Sequence, residues 1–186
     1  VRADAKIDGE LTAPLRPVVP SLKLGSSVLL ETVIRTLKLG HHLTQGTSDS
    51  NELWLQLTVS SGDRVIGQSG IIDEAGDVDP SAHRVNAFVL DKNGKRINRR
   101  NAQDIVVPLY NHQIPPGAGQ TVHYRLSLPD DLSAPITVDI KLQYRKFDGT
   151  YMEFVARTRR PGDVPLRGYV PGKPYVNNLP ITTLAH

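Results

Sequence analysis

The chain of 186 residues carries a net charge of +3, with 39% hydrophobic and 22% charged residues. Those values suit one globular domain with tails; with aromatic residues at only 5%, the core must rest on Leu, Val and Ile. The absence of cysteine excludes a disulfide framework, a thiol nucleophile and a cysteine-ligated zinc site.

Residues 1–20, with Pro14, Pro17 and Pro20, read as a lead-in linker. From Ser27 to Thr36 the residues alternate, with Val28, Leu30, Thr32 and Ile34 on one face and Glu31 and Arg35 on the other, which predicts a strand. Leu53–Val59 follows the same rule: Leu53, Leu55, Leu57 and Val59 face one way, Trp54, Gln56 and Thr58 the other. The turn Ser60–Asp63 then returns the chain through Arg64–Ser69 as a hairpin. Trp54 is expected to pack in the core or between sheets.

Further strands are predicted at His83–Leu90, Lys95–Ile97, Ile105–Tyr110, Gln120–Leu128 and Ile136–Tyr144, with Pro108 favouring an edge or bulge. Only Asp148–Val155 has room for a short helix. From Arg157 onward Pro and Gly recur, yet Leu166, Tyr169, Val170, Tyr175 and Val176 exceed what a disordered tail carries, so 157–186 reads as an extended arm laid on a surface. Closely spaced strands with Gly, Pro and Asp turns predict an all-β fold. The expected form is an antiparallel immunoglobulin/fibronectin-like sandwich of about 7–9 strands in two sheets over residues 21–156. No apolar run approaches the ~20 residues of a membrane-spanning helix. The first residue, Val1, is not Met, so the chain is expected to be processed or excerpted.

Several unusual segments resemble a known family. They are Gly40-His41 followed by Gly46-Thr47-x-Asp49-x-Asn51-Glu52-x-Trp54, then Asp79-Pro80-x-Ala82-His83-Arg84 and Asn98–Asp104. Ile114-Pro115-Pro116-Gly117-Ala118, Val122–Leu126, Tyr144–Phe147 and Leu179–Ala185 complete the set. Together they resemble a C-terminal β-sandwich (Ig-like) domain associated with bacterial multihaem c-type cytochromes. One departure is that relatives often read Gly-His-x-Phe-Pro-Gly-Gly where this chain has Gly40-His41-His42-Leu43-Thr44-Gln45-Gly46. The resemblance implies an exported bacterial redox assembly, periplasmic or extracellular. Covalent c-type haem needs Cys-x-x-Cys-His, so haem c would sit in a partner subunit or in a segment outside this chain.

Six histidines are candidates for chemistry. Imidazole is the commonest axial ligand of haem iron and a ready zinc or copper ligand. His41 and His112 fall in loops, and the stiff Ile114-Pro115-Pro116 segment holds the loop of His112; both are haem-ligand or haem-contact candidates. His83, after Pro80, is a third. His123 lies mid-strand and is expected to be structural. Asp49, Asn51 and Glu52 place three oxygen donors within four residues, a pattern that suits Ca²⁺, as do Asp73, Glu74, Asp77 and Asp79. Turn chemistry explains both loops equally well. The basic clusters Arg96–Arg100 and Arg157–Arg160 lack the interleaved aromatics of a nucleic-acid site and read as solvated surface. There is no Gly-x-Ser-x-Gly elbow and no phosphate loop.

The reading that follows is a non-catalytic docking module of an exported multihaem cytochrome assembly, packing against haem-bearing regions and supplying a His ligand to one of them. The alternative is a free-standing extracellular recognition module for carbohydrate or protein. A third is an enzyme with a metal site built from His41, His83 and His112.

Overall fold

The computed structural model describes residues 10–186, so positions 1–9 of the expected lead-in lie outside the described residues. Residues 10–26 hold no strand or helix. The elements that follow are β1 (Ser27–Arg35), β2 (Glu52–Ser61), β3 (Arg64–Ser69), β4 (Ala87–Leu90) and β5 (Arg96–Ile97). After them come β6 (Val107–Asn111), β7 (Gly119–Ser127), β8 (Ile136–Arg145), α1 (Gly149–Arg157) and β9 (Ile181–Ala185). Every ladder is antiparallel.

The all-β expectation holds, but the strands form three sheets rather than the two of the expected immunoglobulin/fibronectin-like layout. Their orders are β1-β7, β3-β2-β8-β9 and β5-β4-β6. Two local causes account for the split. Pro115 and Pro116 have no N–H to donate, so no ladder runs on from β6 into β7. The neighbouring Ile114 instead exchanges backbone hydrogen bonds with Leu43. Residues 83–85 first extend the β2 ladder, with Leu55 N donating to His83 O and Val85 N to Leu53 O; then β4 leaves β2 for its own partners.

Alternation builds the core as the pattern predicts. Ile34 of β1 and Val122 of β7 meet Leu53 and Leu55 of β2 and Leu142 of β8, and Val85 and Ile114 close the side. Each such side chain contributes roughly 1.5–3 kcal/mol when it leaves water. Trp54, on the opposite face of β2, is fully buried and forms a second cluster with Val78 and Ala82. Its indole donates to the Gly70 carbonyl at 3.0 Å. A side chain at Gly70 would collide with the Leu55 carbonyl, and its φ of +71° lies in the left-handed region, so both demands require glycine.

The helix appears where expected. Asp148 caps it, Oδ1 accepting from Tyr151 N at 2.7 Å, and Met152 and Ala156, one turn apart, form its buried face. The segment 157–186, expected as an arm laid on a surface, holds no strand or helix between residues 158 and 180. Its last strand, β9, is the edge of the four-stranded sheet, and Asn177 is buried with its carboxamide donating to Phe147 O. The end of this segment is therefore laid on the chain's own sheet, along the edge of β8.

Candidate functional site

Two polar centres stand out, and they differ in kind. The first sits where β2 and β8 begin and end. Glu52 and Arg145 are directly opposed in the β2–β8 register, and both are buried. Arg145 Nε donates to Glu52 Oε2 at 2.8 Å, and its Nη1 donates to the carbonyls of Gly76 and Asn177 at 2.6 and 3.0 Å. Glu52 Oε1 accepts from Arg84 at 3.0 Å. Every strong valence of this ion pair is used to tie the 70–86 loop and the C-terminal segment to the sheet.

The residues expected to suit calcium are bonded within the chain. Glu52 is spent on two arginines, Asn51 Oδ1 accepts from Asn86 at 2.6 Å, and Asp49 Oδ2 accepts from Arg100 N at 2.9 Å. In the second acidic loop Asp73 accepts from Asp77 N, and Asp79 accepts from Gly70 N and Ser81. Among the described residues no group of three or more His, Asp or Glu side chains converges as a metal site would. Turn and cap bonding accounts for these oxygens.

The second centre is open. Phe88 and Tyr110 face each other across the β4–β6 register with ring centroids 4.5 Å apart. His112, two residues beyond Tyr110, lies on the same side of the chain and meets Tyr110 at 4.6 Å. His83 then stacks on His112 at 5.0 Å with ring planes 14° apart. At the other end the Arg96 guanidinium lies 3.7 Å over the Phe88 ring. The result is a continuous row, Phe88–Tyr110–His112–His83, along one wall of a cleft of about 570 Å³, with Arg96 over its Phe88 end. The facing wall is Val122–Arg125 of β7, whose only ladder is with β1.

Hydrogen bonding sets the chemistry of the imidazoles. His112 Nδ1 lies 3.2 Å from the Arg84 carbonyl, which can only accept, so Nδ1 is the donor of that bond and Nε2 is left without a hydrogen-bond partner among the described residues. That second bond is the arrangement that orients a ligating histidine. His83 Nε2 is paired with Gln120 Oε1 at 3.2 Å. Burial lowers the His83 pKa; the Gln120 bond opposes the shift and His112 adds to it, so His83 is neutral at pH 7. Two rings stacked nearly flat do not aim their nitrogens at one point, so the pair is not a chelate. The Tyr124 hydroxyl is buried with no hydrogen-bond partner among the described residues, and burial pushes its pKa up to about 12.

The structure thus joins His83 and His112 and leaves His41 apart. His41 is exposed, its Nδ1 bonded to the next carbonyl, His42 O, at 2.8 Å, so the three-histidine metal centre is not assembled. His123 holds Glu31 across the β1–β7 pair at 3.0 Å, a structural position as expected. Sequence reasoning missed Tyr110, Phe88 and Arg96 as neighbours of the histidines. The signal available was the alternation Tyr110-x-His112 leading out of a strand.

No protein-family model matches this chain, and no curated protein matches it. Among solved structures the fold is similar to that of a penta-haem cytochrome c552 from Thermochromatium tepidum, with a TM-score of 0.51 at 18% identity. The match covers 72% of this chain and 32% of that one, so the chain spans about a third of the cytochrome's length. At such identity the likeness is one of fold.

Proposed function

We infer that the chain is a non-catalytic docking module of an exported multihaem cytochrome assembly, working in the periplasm or outside the cell. Its cleft would lie against a haem-bearing region of the partner, exclude water from that haem edge, and offer His112 Nε2 to it. The observation that carries this reading is the fold likeness to a penta-haem cytochrome in a chain that has no cysteine to hold c-type haem itself. The cleft supports it chemically. It pairs a row of aromatic rings, against which an apolar macrocycle edge could pack, with one histidine oriented by a backbone bond. Covering a haem edge with such a wall lowers the local dielectric, one of the levers on haem potential.

The test is native purification of the chain from its own cells, read at the haem Soret band and by peptide mass spectrometry. The reading expects the chain to co-elute with a Soret-absorbing protein containing Cys-x-x-Cys-His peptides, and His112→Ala to weaken that association. A chain that elutes without haem absorbance, and that binds a glycan array on its own, would replace this reading with a free-standing recognition module.

A further inference from the structure

The two arginine clusters, distant in sequence, meet on the outer face of α1. The Arg99 guanidinium lies 5.2 Å from the centroid of Phe154, and Arg100 lies 4.7 Å from Phe147 and 5.0 Å from Tyr151. Arg157, in the last turn of the helix, is paired only with Glu153, one turn earlier. Among the described residues Arg99 and Arg100 form no ion pair at all. Residues 96–104 and 146–163 together hold seven basic and four acidic side chains, a surplus equal to the whole chain's net charge of +3. One of those four acids, Asp148, is buried as the helix cap. These two segments are therefore net positive, and Arg99 and Arg100 are the members of them that stand over aromatic rings beside α1.

We propose that this aromatic-backed arginine face of α1 is a docking surface for a carboxylate-rich protein partner. Guanidinium groups laid on aromatic rings are already ordered, so little side-chain entropy is lost when a partner binds. A planar fork with outward N–H edges fits carboxylates in pairs. Arg100 has a φ of +62°, a left-handed conformation uncommon for a bulky residue, and Asp49 and Ser50 hold it there through its backbone N–H and Nε. Such outliers concentrate at functional positions. Nucleic acid fits less well, because the rings that would stack on bases are covered by the arginines. This surface is separate from the histidine cleft and needs no haem in the partner.

The test is fluorescence anisotropy with labelled poly-L-glutamate at fixed ionic strength, beside phosphatidylserine vesicles and oligo-dT as competing probes. The wild-type chain should prefer poly-L-glutamate. The double variant Arg99→Glu/Arg157→Glu should bind it at least about tenfold more weakly. The control Arg35→Glu, on β1, should bind within about twofold of wild type. If the double variant has a lowered melting temperature, Arg99→Gln alone gives the same comparison, since the Arg99 side chain is exposed and forms no ion pair among the described residues. Unchanged binding by the arginine variants, or tighter binding to vesicles or oligo-dT, would overturn the proposal. Poly-L-glutamate binding by a chain that co-elutes with no cytochrome would keep this surface while ending the docking-module reading.

Discussion

The Glu52–Arg145–Arg84 network and the His83–His112 cleft are both polar centres beside β2, and both draw on residues 83–86. In the first, Glu52 and Arg145 are buried, Arg84 is partly so, and their hydrogen bonds are made inside the chain. In the second, the rings are half-buried, His112 retains an unused nitrogen, and one wall is a strand edge without a partner. A network with no valence left over holds the fold; a cleft with valences to spare can bind something else. That distinction separates groups that sequence alone had placed together, since Glu52 and the histidines were all candidate ligands.

The contrast predicts a graded set of effects. Arg145→Ala would strand Glu52 in the core and release Asn177 and Gly76, so it should cost about 3–5 kcal/mol in urea unfolding. A pH effect comes next. Burial raises the Asp148 pKa to about 6, with Glu52 adding to the shift and the Tyr151 N–H and Arg96 opposing it. The folded chain keeps that proton to about pH 6 whereas an unfolded aspartate loses it near 3.8, so the folded state binds more protons in between. The contribution of Asp148 to stability should therefore be fully present below pH 4 and be lost, to the extent of up to about 3 kcal/mol, as pH rises through 6. Asp148→Asn, which keeps a cap acceptor, should flatten that slope in thermal melts taken from pH 3.5 to 7.

Asn86→Ala should cost about 2 kcal/mol, because Asn86 is buried and bonds Asn51, Ser48 and Leu53 N. At the far end, His112→Ala should change unfolding free energy by less than about 1 kcal/mol, since it removes one hydrogen bond at a half-buried ring. A large loss there would make the cleft a structural centre like the first and erase the contrast.

How much of this was legible in the residues differs by scale. The alternating runs at 27–35 and 53–59 became strands with the expected faces, those at 120–127 and 136–144 became strands, and the short helix after Asp148 was readable, because these depend on neighbours within a few positions. Contacts across the chain were not. Glu52 and Arg145 are opposed only once the β2–β8 register is set, and the Arg99–Phe154 contact needs the 96–100 turn to fold against α1. Ile181–Ala185 was read as arm because its exposed, Thr-rich residues show no buried face; its pairing is by backbone along the edge of β8. The split into three sheets likewise turned on which strand ends run on into the next, a matter of Pro115 and Pro116 rather than of apolar pattern.

The most direct test of the docking reading is amide NMR of the labelled chain, mixed with the cytochrome that co-elutes with it. The account predicts paramagnetic broadening confined to His83, Tyr110, His112 and the facing Val122–Arg125 stretch, lost in His112→Ala. Broadening absent from these residues, or centred on the far edge at β3, would contradict it.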